Sequence, residues 1–189
     1  MPAKPSTFIA DADFEFENTP VRIAANRNCE KIELAGLEIG PFEEGKEYEI
    51  RFWIAKELEK AGIARFREED LLTSVKLYKI HWKERVQSVK QIAAISQDFY
   101  PKLRRYLADL RKDALKKPEI MREYEKAIRH SRDIINCRLK KIVSLASASA
   151  AQTNQIVNNL TVEEHDIYKI LRENIEEWRT EILKDGGES

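Results

Sequence analysis

The stretch GPFEEGKEYEIRFWIAKELEKAG, residues 40–62, changes its period part-way along. Tyr48, Ile50, Phe52 and Ile54 alternate with Glu47, Glu49, Arg51 and Trp53, the two-residue repeat of a half-buried strand. From about Trp53 the apolar positions become Trp53/Ile54, Ala55, Leu58 and Ala61, a helical spacing that stops at Gly62. A strand is expected to run straight into a helix with no loop between them.

The residues around this unit read as short strands and turns. Upstream, FIADADFEFE alternates, with Phe8, Ala10, Ala12, Phe14 and Phe16 opposite Asp11, Asp13, Glu15 and Glu17, and is expected to be a strand with an acidic face. VRIAA (21–25) and KIELAG (31–36) are further strand candidates, while Gly40-Pro41 and Glu43-Glu44-Gly45 mark turns around Phe42. Ile63 to Phe66 is expected to return as a last strand, and the polar, proline-bearing Met1–Thr7 to be loose. Residues 1–66 thus form a small β-rich domain holding one helix. A domain of this length buries only about 60% of its unfolded surface, so it gains from a neighbour.

Residues 67–189 read differently. From Glu68 there is no glycine until Gly186, and four helical segments fit. In the first, Leu71, Val75, Tyr78, Trp82, Val86, Val89 and Ala93 form one apolar stripe, expected to face the core. The second, about 98–117, carries Phe99, Leu103, Tyr106/Leu107, Leu110 and Ala114, with Asp98 as its expected cap. The third starts near Pro118 and extends towards Ala151, with a stripe of Ile120, Tyr124, Ala127/Ile128, Ser131, Ile135, Leu139, Ile142 and Leu145/Ala146. The fourth opens on the capping-box pattern Thr161-Val162-Glu163-Glu164 and continues through Ile167, Ile170/Leu171, Trp178 and Ile182. The expected fold is α+β, a small N-terminal β-rich domain followed by a C-terminal all-α helical bundle.

Lys+Arg and Asp+Glu both number 33, so net charge alone points to no partner. Charge is nevertheless segregated. Residues 1–70 carry 10 basic and 16 acidic groups, whereas residues 71–117 carry 12 and 4, so only the middle third suits an acidic surface. Charged residues make up 35% of the chain, a composition that fits a thermophile surface of ion pairs. No apolar run reaches the roughly 20 residues of a membrane span, and no signal-peptide pattern opens the chain, so an intracellular, soluble protein is expected. Cys29 and Cys137 are far apart in sequence and are expected to be free thiols.

No catalytic, cofactor-binding or metal-ligating constellation is evident. His81, His130 and His165 each sit on an expected helix without a second His or Cys three or four residues away, and are read as packed or surface imidazoles. Neither a CxxC nor a phosphate-loop pattern occurs, and an enzyme is not expected. Arg104, Arg105, Arg111 and Lys112 crowd the helix over 102–117 and suit an acidic partner or DNA. Leu77 and Ile80 lie off the first helix's stripe, and residues 134–145 are apolar on more than one side. Such a surplus is consistent with a centrally buried helix or with a second subunit.

The run IELAGLEIGPFEEGKEYEIRFWIAKELEKAGIARF (32–66) resembles the GINS family of replication-complex subunits, in its "two/three" class. The resemblance lies in a strand ending at Ala35-Gly36, then Leu37, Ile39, Gly40, Pro41, Phe42 and Gly45, and the strand entering a helix at Trp53, Ala55 and Leu58. VRIAAN (21–26) and NNLTVEEHDIYKILRENIEEW (158–178) are similar to the family's preceding strand and last helix. At the N-terminus the readings part, because the eukaryotic "two" subunit has a helix where FIADADFEFE alternates.

The resemblance implies a non-catalytic subunit without cofactors, of archaeal type, acting at the nucleoid-associated replication fork in the cytoplasm. Its implied partners are a "one/five"-class subunit in a 2:2 tetramer, the MCM helicase, a RecJ-like protein, and DNA polymerase or primase. Leu77, Ile80, Trp82, Phe99, Tyr100, Leu103 and Tyr106 are the expected subunit contacts. The competing expectation is a nucleic-acid-binding protein using the basic helix 102–117.

Overall fold

The computed structural model describes residues 5–34, 36–87, 91–148 and 154–184. The chain divides into two compact units, Ala10–Leu72 and Thr73–Ser189, with Met1–Ile9 grouped in the second. The fold is α+β, with strands early and a helical C-terminal region.

In the first unit, β1 (Pro20–Ala25) is the central strand, paired antiparallel with β4 (Glu47–Arg51) on one side and β5 (Ala64–Phe66) on the other. β2 (Ile32–Leu34) and β3 (Leu37–Ile39) form a separate hairpin with Leu34 opposite Leu37. β4 passes directly into α2 (Phe52–Lys60), as the period change requires. The first amide of that helix has no side-chain cap, and donates instead to Thr19 O at 3.0 Å, across the end of β1.

α2 ends in a Schellman turn. Ile63 N donates to Leu58 O at 2.9 Å and Gly62 N to Glu59 O at 2.9 Å, with Gly62 at φ 68. Leu58 and Ile63 then join the unit's core with Ile23, Ala25, Phe42, Ile54, Ala55, Ala64 and Phe66. The expected last strand is β5.

FIADADFEFE is a helix, not a strand. α1 covers Pro5–Asn18, so residues 5–7 are helical as well, while residues 1–4 lie outside the described ones. The sequence carries two periods at once, and the buried pair Ala12 and Phe16 follows the four-residue one while Phe14 is exposed. Ala, Asp and Glu disfavour strands, and Phe16 gains a ring partner in Phe52, with centroids 4.6 Å apart.

In the second unit α5 (Pro118–Ser147) is the central helix, against which α3 (Ser74–Val86), α4 (Phe99–Ala114) and α7 (Val162–Leu183) each pack. α6 (Asn154–Val157) is a single turn. α3 is capped by the Thr73 hydroxyl, which accepts from Lys76 N at 3.3 Å. It stops at Val86, so the expected stripe does not continue as one helix to Ala93; Val89 lies outside the described residues. Asp98 precedes α4 without capping it, its carboxylate being taken by Lys102 at 2.8 Å and by Ser96. The Thr161–Glu164 capping box of α7 is complete, with bonds of 3.4 and 3.0 Å. α5 is described to Ser147 and the chain to Ala148, so the end of the small-residue run, 149–151, lies outside the described residues.

Candidate subunit interface

The apolar stripe of α3 points away from the core. Val75, Tyr78, Trp82 and Val86 are exposed, while Leu77, His81 and Glu84 on the other side are buried. Leu71, expected on the same stripe, precedes α3 and belongs to the first unit. This corrects the expected orientation. The steps of three, four and four residues from Val75 to Val86 put four exposed large apolar side chains on one helix face. Tyr78 and Val75 also line a groove of about 470 Å3 between α3 and α5, with Leu77, Ala127 and His130 below and Arg122, Glu123 and Lys126 along it.

α5 carries a second exposed stripe. Ile135 and Leu139, both on the expected stripe, are exposed together with Val143, and the buried positions after Ser131 are Ile134, Arg138, Lys141, Ile142, Leu145 and Ala146. Leu139 is nine residues beyond His130, about two and a half turns, and so lies on the opposite side of α5 from the groove. Trp178 and Ile182 are exposed near the end of α7, past the core formed by Ile92, Ile142, Leu145, Ala146, Leu160 and Tyr168.

A buried ionic cluster fixes which way these helices face. Arg138 is wholly buried, and all five of its N–H groups are used. Nε and Nη2 grip Glu164 at 2.5 and 2.6 Å, and Nη1 reaches Glu84 at 2.5 Å. The remaining two donate to Ala93 O at 2.8 Å and Asn159 O at 3.1 Å. Lys141 completes the set on Glu84, at 2.7 Å to the carboxylate and 3.2 Å to the carbonyl. Tyr100 OH donates to Glu164 at 2.6 Å.

Two cations and two carboxylates cancel, which is what burial of charge demands. Burial alone lowers the Arg138 pKa, but the hydrogen bonds and charge of Glu164, with the charge of Glu84, outweigh it and hold the group above its ordinary value. For Tyr100, burial first and then Glu164 push the phenol well above its usual range. The cluster ties α3, α4, α5 and α7 together, and Glu84 can reach it only if Trp82 faces outward.

The cluster's sequence signal is the four–three–four spacing of Ile134, Arg138, Lys141 and Leu145, which puts charges at core positions of α5. Histidines far apart in sequence also meet. The His81 and His130 rings are 4.4 Å apart, and His81 Nε2 is 3.1 Å from Asp133 Oδ2.

The residues expected at an interface therefore separate. Leu77, Phe99 and Leu103 are buried in the chain, Ile80, Tyr100 and Tyr106 are half-buried, and Trp82 is exposed. Of the basic residues, Arg104 pairs with Glu163 at 3.2 Å and Arg105 donates to Pro101 O at 3.0 Å, whereas Arg111 and Lys112 are exposed in the last turn of α4. There they complement the negative end of the helix dipole.

Residues 67–183 match the family model for the GINS complex protein helical bundle domain. That match covers more than half of the chain, which belongs to the GINS family of DNA-replication complex subunits. Residues 9–66 match the PSF2 N-terminal domain, so within that family the chain is PSF2-like. A search of curated proteins gives no match to the chain. Members of this family are non-catalytic and assemble with other GINS subunits. Among the described residues, no helix is long and apolar enough to cross a membrane.

Proposed function

We propose that the chain is the "two/three"-class subunit of an archaeal GINS tetramer, two copies joined by two of a "one/five"-class subunit. Its work is that of a scaffold, which binds and activates the MCM helicase and links it to a RecJ-like protein and to polymerase or primase. The observation that supports this reading is the outward stripe Val75, Tyr78, Trp82 and Val86, held in place by a buried charge cluster on the same helix. An obligate interface buries about 2,000 Å2 or more and is largely apolar, and the stripes of α3 and α5 supply surface of that character.

The test is co-expression with candidate "one/five" subunits, followed by native mass determination and a helicase unwinding assay. The expected result is a 2:2 complex that stimulates unwinding, with the chain alone aggregating. A chain that is monomeric and well behaved at high concentration, and unaffected by the second subunit, overturns the proposal.

A further inference from the structure

His81, on α3, and His130 and Asp133, on α5, bring one ligand atom each within 4.8 Å of one another. The spacing of His130 and Asp133 puts both on one face of α5, and α3 delivers His81 opposite them. His81 is 6% exposed and turns its Nε2 to Asp133 Oδ2 at 3.1 Å, while His130 Nε2 is buried without a hydrogen-bond partner. A buried imidazole nitrogen without a partner costs free energy unless something else occupies it. Asp133 is 54% exposed on its side chain, so the group is open to solvent along one edge.

We propose that His81, His130 and Asp133 bind a divalent transition-metal cation of the zinc type. Two imidazoles and one carboxylate are the donor set such ions favour, and a water completes a four-coordinate shell from the exposed edge. At metal–ligand bonds of about 2.0–2.1 Å tetrahedral donors stand roughly 3.4 Å apart, against 3.1 Å between His81 Nε2 and Asp133 Oδ2 and no more than 4.8 Å across the group. Ligation needs neutral imidazoles, so binding is expected to weaken as pH falls. The ion pins α3 to α5 beside Tyr78, whose ring is 5.7 Å from His130, and so steadies the face carrying Trp82. This site is independent of the scaffold reading.

The test uses the full chain, with its co-purifying subunits where it needs them, stripped by a chelator and titrated with zinc and then cobalt. The expected results are one zinc per chain, a tetrahedral cobalt spectrum, and a Tm rise of roughly 5–10 °C at free zinc about 100-fold above Kd. Asp133→Asn, at the exposed edge, and His130→Gln each weaken binding by more than the roughly 10–100-fold that loss of an outer partner costs. The double variant Cys29→Ser/Cys137→Ser binds as before. No zinc bound, zinc bound equally well by Asp133→Asn, or a cobalt–thiolate band lost with the cysteines overturns the proposal.

Discussion

Trp82 and Leu77 stand five residues apart on α3, and the first is 58% exposed while the second is 1% exposed. The helix is apolar on both sides, and among the described residues Leu77, His81 and Glu84 are buried on one side while Val75, Tyr78, Trp82 and Val86 are exposed on the other. Trp82→Glu is therefore expected to leave the isolated chain's unfolding within about 0.5 kcal/mol of the parent. The same change should abolish assembly with the partner subunit in native mass spectra. Leu77→Ala should do the reverse kind of damage, costing ~2–5 kcal/mol through the cavity it leaves. Equal stability losses in both would mean that the two faces are not distinct.

Glu84 compensates two cations at once, so Glu84→Gln leaves positive charge buried without its counter-ion. Breaking one member of a buried ionic cluster typically costs about 3–5 kcal/mol. Thermal unfolding should show a fall of roughly 10 °C or more. A shift of a degree or two would show that the cluster is hydrated in solution.

The Tyr100 phenol is held above its unfolded value of 10.0, so the folded state keeps its proton more tightly than the unfolded state does. Its stabilising contribution is complete below pH about 10 and is lost as pH climbs past that value. Urea unfolding between neutral and strongly alkaline pH should show this loss, and Tyr100→Phe should flatten the slope while costing stability at neutral pH. An unchanged alkaline slope in the variant would remove Tyr100 from the account.

Lys102, Arg104 and Arg105 are engaged within the chain, which leaves the exposed Arg111 and Lys112 to carry the DNA reading of α4. Arg111→Glu/Lys112→Glu is expected to leave both assembly and forked-DNA affinity unchanged. Each phosphate contact contributes about one to the salt slope of binding, so a drop of about two would favour the nucleic-acid reading instead.

Gly62→Ala should cost roughly 1–2 kcal/mol, measured by denaturant unfolding. A Cβ built there meets nothing within 4 Å, so the loss is purely that of a left-handed backbone at φ +68. Asn at the same position should recover part of it.

The local grammar of the chain was legible. The loopless junction of β4 and α2, the helix stop at Gly62 and the box opened by Thr161 are each set by residues a few positions apart, and each forms. What escaped depends on distant partners. The orientation of α3 is decided by Glu84 meeting Arg138 and Lys141, more than fifty residues away, so the longer stripe looked like the core side. The α5 register changed for the same reason, since a long charged residue looks misplaced on a buried stripe until its counter-ions are known. At α1 two periods coexist, and a ring contact with Phe52 accompanies the helical one. His81 and His130 are 49 positions apart in the chain, beyond the reach of any spacing rule.

Because Glu84 is anchored from two sides, α3 cannot roll about its own axis. A quarter-turn would carry the carboxylate out of reach of both cations, leaving Arg138 with Glu164 alone and Lys141 buried without a counter-ion. Any docking chain therefore meets Trp82 and its neighbours as a fixed template, and mutual fit must come from the incoming surface.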